Sequence, residues 1–197
     1  MIKKSDEAKQ AIIRATTDLI MQSNGNMDEI TTRMIAEKAG VGVGLINYHF
    51  QTKDNLVEVC VQKIIDDVTD NFRPQLNSNL NTNERLKSVV KMVADFLMGN
   101  QALSRISILA DQARPAVNDN TMKTIKGLTA VIVNSDGVLR KSDKFSAFAL
   151  TSVLQSAFLR KDMTTEICGY DFNMKEQRDS FIDLMVDKLF GSGDTNE

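Results

Sequence analysis

Apolar residues recur at steps of three and four along most of this chain, the period of a helix that buries one face. Ala8, Ala11, Ile12, Ala15 and Leu19 form the first stripe. It predicts a helix opened by Ser5 or Asp6 and running to about Met21, with Ser23-Asn24-Gly25-Asn26 as its stop. A longer stripe, Val57, Val61, Ile64, Ile65, Val68 and Phe72, predicts a helix that starts at Lys53, is capped by Thr52 and ends at Pro74. The Asn-rich segment LNSNLNTNE reads as a loop. Asn81 with Glu84 then opens a helix carrying Leu86, Val89, Val90, Val93, Phe96 and Leu97, which Gly99-Asn100 breaks. Leu103 to Ala113 forms another, stopped by Arg114-Pro115. Asn118 or Asn120 opens the next, with Met122, Ile125, Leu128 and Ile132 inward. Val131-Ile132-Val133 before Asn134-Ser135-Asp136-Gly137 also suits a strand and turn, but no partner strand is evident, so helix is preferred. Ser142 or Asp143 opens a helix to about Lys161. Asn173 with Glu176 resembles a capping box for a last helix, in which Phe181, Leu184, Met185, Lys188 and Leu189 follow at helical spacing until Gly191. GSGDTNE is expected to be a disordered tail.

Between the first helix and the long one lies TTRMIAEKAGVGVGLINYHFQTK, residues 31–53. Thr31 or Thr32 can cap a short helix whose packed face holds Ile35 and the small Ala36. Gly40 stands where that helix must end, because glycine takes the left-handed conformation without a Cβ penalty. Val41 anchors the turn. A second helix from about Gly42 to Tyr48 turns Ile46 and Phe50 inward and leaves Val43, Gly44, Asn47 and Tyr48 outside. Two short helices joined this way form a helix-turn-helix, whose second helix enters a DNA major groove.

The run AEKAGVGVGLINYHFQTKDNL resembles the signature of the TetR (tetracycline-repressor-like) transcriptional regulators, through Ala36, Ala39, Gly40, Val41, Gly44, Tyr48, His49, Phe50, Lys53 and Leu56. The preceding helix has the family's usual character and distance. The likeness covers roughly the first third of the chain; beyond it only length and helical content agree. It implies an all-α fold of about nine helices. A three-helix head, residues 1–51, would bind DNA, and a helical body, residues 52–190, would bind ligand and dimerise, followed by a tail, residues 191–197.

Composition trims the alternatives. Of 197 residues, 42% are hydrophobic and 25% charged, ordinary for a globular protein. No run approaches the ~18 apolar residues of a membrane span, and the N-terminus lacks the apolar core of a signal peptide, so a cytoplasmic protein is expected. Cys60 and Cys168 are expected to be buried free thiols. With a lone histidine, His49, and no clustered cysteines, no metal and no cofactor are expected. A nucleophile–base pattern and a phosphate loop are missing too, so the chain does not read as an enzyme. The net charge is −2, and the segment up to Lys63 balances to zero. DNA affinity must therefore come from local placement and from two copies acting together.

Carried over by resemblance, Thr32 would bind phosphate, Arg33 would reach a guanine edge, and Tyr48, His49 and Lys53 would lie against the phosphate backbone. The sequence departs from the family at Asn47, often tyrosine there, and at Gly42-Val43-Gly44-Leu45, where polar residues are common. Asn47 can bond adenine, and Val43 and Leu45 can touch a thymine methyl. In the body, the resemblance implies a ligand cavity, with Met92, Phe96, Met122 and Phe148 as its soft or aromatic candidates. Ser146, Ala149, Ser152, Ser156 and Ala157 are small enough for close helix approach and mark a dimer face. The implied function is a homodimeric repressor released from an inverted-repeat, double-stranded DNA operator by a small apolar or amphiphilic effector. A lever running down the long helix would carry the signal. The alternative is a DNA-binding adaptor controlled by a protein partner.

Overall fold

The computed structural model describes residues 2–23, 26–72 and 80–191, with side chains described there except at 2–5, 64–72 and 134–136. Among the described residues the chain forms α-helices, two short 3-10 turns and no strand. The helices are α1 (Ile2–Gln22), α2 (Thr32–Ala39), α3 (Val43–Phe50), α4 (Lys53–Phe72), α5 (Thr82–Gly99), α6 (Gln101–Ala113), α7 (Asn120–Asp136), α8 (Lys141–Leu159), α9 (Thr164–Cys168) and α10 (Lys175–Phe190). The all-helical expectation holds, and Val131-Ile132-Val133 is helix. The helix missing from the sequence reading is α9, whose five residues are too few to show a period. The expectations for Ile64, Ile65, Val68 and Phe72, for Asn24-Gly25, for Pro74 and for the tail after Gly191 lie outside the described residues or side chains.

Two compact units emerge, Met1–Arg73 with Asn100–Ala113, and Pro74–Gly99 with Arg114–Glu197. The sequence reading assigns residues 52–190 to one body and 191–197 to a tail; the first compact unit includes α4 and α6.

In the first unit, α1 packs on α2 and α4, and α6 packs on α1 and α4. Ile12, Ile13, Ile20, Ile30, Ile35, Ile46, Phe50, Leu56, Leu103 and Ile108 are buried. Thr16 is buried among them at no cost in unmet polarity, since its hydroxyl donates to the Ile12 carbonyl at 2.8 Å. Cys60 is buried, with Sγ 3.6 Å from the Ile13 carbonyl. Burial pushes its thiol up to about 11, against the opposing pull of Thr17, Lys63 and Thr16. Cys168 lies exposed, contrary to expectation: α9 is a single turn on the surface, and the neighbouring Ile167 is exposed too.

In the second unit, α5, α7, α8 and α10 pack together around Leu86, Val90, Ala94, Leu128, Val131, Leu150, Leu154, Phe158, Phe172, Ile182 and Val186. Along α10 the buried stripe is Phe181, Ile182, Met185 and Val186; Leu184, which follows at the same helical spacing, is exposed. Charged pairs clamp α5 to α10. Lys87 meets Asp187 at 2.7 Å and Lys91 meets Asp183 at 2.6 Å. One turn further along α5 the charges reverse, and Asp95 takes both Lys175 at 2.6 Å and Arg178 at 2.9 Å. Arg178 is buried, donates also to the Phe172 carbonyl at 2.9 Å, and lies 5.8 Å over the Phe172 ring.

Cap chemistry matches several expectations and corrects others. Asn81 and Glu84 exchange backbone-to-side-chain bonds of 3.2 and 3.0 Å, a capping box. The box expected from Asn173 and Glu176 is absent, for Asn173 instead bonds Asp171 and Asp162. Asp119, between the two asparagines considered, caps α7 by accepting from the Met122 N–H at 2.7 Å. α8 opens at Lys141, where Asp143 accepts from the Arg140 N–H at 2.8 Å.

Candidate nucleic-acid interface

Residues 31–53 form the candidate interface, and each part has a local cause. Thr31 Oγ1 accepts from the Met34 N–H at 3.2 Å and starts α2. Gly40 ends α2 at φ +66°, in the left-handed region, and the Val41 N–H returns to the Ala36 carbonyl at 3.0 Å. Gly42 opens α3 without a side-chain cap. Ile46 and Phe50 are buried and seat α3 in the unit.

Outward, α3 presents Val43, Gly44, Asn47 and Tyr48, all exposed, as the helical period requires. Tyr48 is 77% exposed, so its hydroxyl is available to a partner. Arg33 is exposed on α2, and Thr32 is half-buried beside it. Leu45 and His49 are half-buried at the edges of α3. His49 sits edge-on to Tyr48, ring centres 5.1 Å apart, and its Nε2 is shielded from solvent without a hydrogen-bond partner.

Lys53 differs from the rest. Its ammonium donates to the carbonyls of Met27 at 2.9 Å and Ile30 at 3.0 Å. Two of its three donors thus tie the start of α4 to the turn before α2. Sequence reasoning missed this, because the partners lie 26 and 23 residues away.

The joint between α3 and α4 is tight. Gln51 has φ +66° and ψ −52°, and the Thr52 N–H bonds the Phe50 carbonyl at 2.7 Å. This is a γ-turn of the rare strained kind, held between a buried Phe50 and the Thr52 cap that accepts from the Asn55 N–H at 3.1 Å. A residue so placed costs about 1–3 kcal/mol and persists only where the surroundings impose it.

In the second unit, Met92, Phe96 and Met122 are half-buried, while Phe148 is 55% exposed on the outside of α8 and does not share their setting. Of the small residues on α8, Ser146 and Ala157 are buried, and Ser146 donates to the Leu189 carbonyl of α10 at 2.9 Å. Ala149, Ser152 and Ser156 are half-exposed, flanked by the exposed Phe145, Phe148 and Val153. Among the described residues no three His, Cys, Asp or Glu side chains gather as a metal would need, and no helix is long and apolar enough to cross a membrane.

An all-helical fold with an exposed second helix after a glycine turn defines a helix-turn-helix protein. Residues 12–60 match the family described as "Bacterial regulatory proteins, tetR family". A transcriptional regulator from Rhodococcus sp. Rha1 shares the fold, with a TM-score of 0.66 at 16% identity over 96% of this chain and 99% of that one. Over 74 residues the chain is 35% identical to the HTH-type transcriptional dual regulator CecR of Shigella flexneri, spanning 38% of this chain and 32% of that protein. It is also 24% identical over 100 residues to the nucleoid occlusion factor SlmA of Mannheimia succiniciproducens, spanning 51% of this chain and 46% of that protein. The chain thus spans about half or less of the curated relatives it matches. The match to the tetR family of bacterial regulatory proteins covers residues 12–60, and the likeness to the Rhodococcus regulator is one of fold.

Proposed function

We propose that the protein is a homodimeric transcriptional repressor that binds an inverted-repeat, double-stranded DNA operator and leaves it when a small apolar or amphiphilic effector binds the body. The observation that carries this is the outward face of α3. Val43, Gly44, Asn47 and Tyr48 are exposed while Ile46 and Phe50 hold the helix in place, with Arg33 of α2 also exposed. An eight-residue helix kept in the fold by two side chains, with the rest turned to solvent, is built to be read by something else. Thr32, Leu45, His49 and Lys53 frame that face.

The dimer belongs to the same reading. Phe145, Phe148, Ala149, Ser152, Val153 and Ser156 make an uncharged strip along α8, and an apolar strip of this kind marks a surface that is normally covered. A second copy related by a twofold axis covers it and places two heads for two half-sites. The reading assigns no catalytic step and no cofactor, and places the protein in the cytoplasm with the DNA it regulates. Met92, Phe96 and Met122 are the residues expected nearest the effector.

The test is binding of the full chain to duplex DNA from the region upstream of its own gene, by fluorescence anisotropy and footprinting. The expected result is a protected, twofold-symmetric site with half-sites about 34–36 Å or slightly more apart. Compounds that raise the melting temperature are then titrated against the complex. An effector with a coupling of about 1–3 kcal/mol weakens DNA binding about 5–150-fold. A protein that holds its operator against every compound that binds the body is instead the partner-controlled DNA binder.

A further inference from the structure

We infer that α3 selects A·T pairs, with Val43 against a thymine methyl and Asn47 on an adenine, the two contacts falling within two base-pair steps of each other in each half-site. This rests on α3 being the helix that reads the DNA. The whole of α3, VGLINYHF, has no lysine, arginine, aspartate or glutamate. Guanine is read through O6 and N7 by arginine or lysine, and cytosine through its amino group by a carboxylate. α3 offers neither, and its basic residue, His49, is half-buried at the edge with Nε2 shielded from solvent, so a G·C pair finds no charged reader on the outward face. What α3 does offer is a branched apolar side chain, 39% exposed, and a primary amide one turn later. The amide is the group that pairs with both adenine N6 and N7, and the thymine methyl is the apolar group of the major groove.

Spacing joins the two contacts. Val43 and Asn47 are four apart on one helix, so their Cβ atoms lie about 5–6 Å from each other. Base pairs rise about 3.4 Å per step, so the two side chains fall within two steps of each other. Gly44 supplies the third observation. A Cβ built there would meet nothing within 4 Å, so the protein's own packing does not call for glycine. Glycine in a helix costs about 0.5–1 kcal/mol relative to alanine. Its use at an outward position fits a backbone that must come close to a partner, which lets the short side chains of Val43 and Asn47 reach the base edges. Arg33, on α2, remains the one exposed side chain named at this interface that can read guanine.

The experiment selects duplexes bound by the full chain from a random library, then replaces single bases within the recovered half-site. Uracil for thymine removes only the methyl; 7-deazaadenine for adenine removes only N7. At one position uracil should weaken wild-type binding about fourfold, the worth of one buried carbon. It should leave Val43→Ala unaffected. At a position within two steps, 7-deazaadenine should weaken wild-type binding about 2–12-fold and leave Asn47→Ala unaffected. Both residues are exposed, so both variants should fold, which unchanged thermal melting confirms. G·C pairs selected at the positions that lose preference in Val43→Ala and Asn47→Ala overturn the inference. So does full sensitivity to the base analogues in those variants; in these cases the protein still binds its operator and the function proposed above stands. Binding without sequence preference overturns both the inference and the operator reading. A chain that recovers no DNA at all overturns both.

Discussion

At the residue scale, Lys53 carries the clearest consequence for experiment. Its half-buried ammonium is held by the Met27 and Ile30 carbonyls, so its charge caps a 3-10 turn. Hydrogen bonds from a charged donor contribute about 1.5–3 kcal/mol. Lys53→Ala is therefore expected to lower the stability of the first unit by about that much in urea unfolding. A lysine that neutralises a phosphate adds about 0.9 to the slope of log affinity against log salt. With two of its donors already engaged, Lys53 is expected to contribute less than this, so Lys53→Ala should bind DNA more weakly but with nearly the same slope. A slope reduced by a full unit, with unchanged stability, would return Lys53 to the phosphate role implied by resemblance. The outward residues of α3 were legible from sequence, because a period of 3.6 and two inward anchors determine which positions are left outside. Lys53's partners were not, since they depend on a contact across more than twenty residues. The γ-turn at Gln51 was equally hidden, because glutamine carries no signal for positive φ.

At the element scale, the α5–α10 clamp makes the second unit sensitive to pH. Burial pushes the Asp95 carboxyl up, but its hydrogen bonds from Lys175 and Arg178 and their charges outweigh this and hold it below its ordinary value of 3.8. A carboxyl depressed on folding stabilises the fold above its unfolded pKa, and that contribution is lost as pH falls through the folded one. The bond to Asp187 raises Lys87, and the bond to Asp95 raises Lys175; these contributions hold below 10.5 and fade at higher pH. Asp95→Asn is thus expected to destabilise the protein by about 1 kcal/mol at pH 7, a modest figure because the Asp95 side chain is 42% exposed and screened. Measured at pH 3, the gap between the variant and wild type in urea midpoint should shrink; a constant gap would show that Asp95 acts by packing alone. The clamp was not read from sequence, although Lys87, Lys91 and Asp95 stand four apart on α5. Pairing them needs the partner helix and its register. Helix ends were more legible, where a side chain bonds within three residues, as at Thr31, Thr52 and Asn81. They failed where two cap candidates were neighbours, as at Asp119, or where a loop took the cap residue, as at Asn173.

At the scale of the whole molecule, local periodicity could not show that α6 groups with the head, because α6 follows α5 after a single residue and its stripe looks like that of any body helix. Nor could it sort the aromatic residues of α8, since Phe145, Phe148 and Phe158 look alike until their faces are known. Phe158 is core, whereas Phe145 and Phe148 are 67% and 55% exposed. This difference predicts how the dimer responds to mutation. Ser146 and Ala157 face inward, so enlarging them should harm the fold of each chain. Phe148→Asp instead places a charge on a surface that is open in the single chain and apolar in the proposed pair. Monomer stability should move by no more than about 0.5 kcal/mol. Pairing should weaken by at least about 2 kcal/mol, roughly thirtyfold, as expected for an aromatic at the centre of an interface. Operator binding should fall with it, because affinity from two linked heads exceeds that of either alone. Sedimentation across a concentration series, with DNA binding measured on the same samples, checks both effects. If Phe148→Asp leaves the mass and the operator affinity of wild type intact, the outer face of α8 is not where the two copies meet.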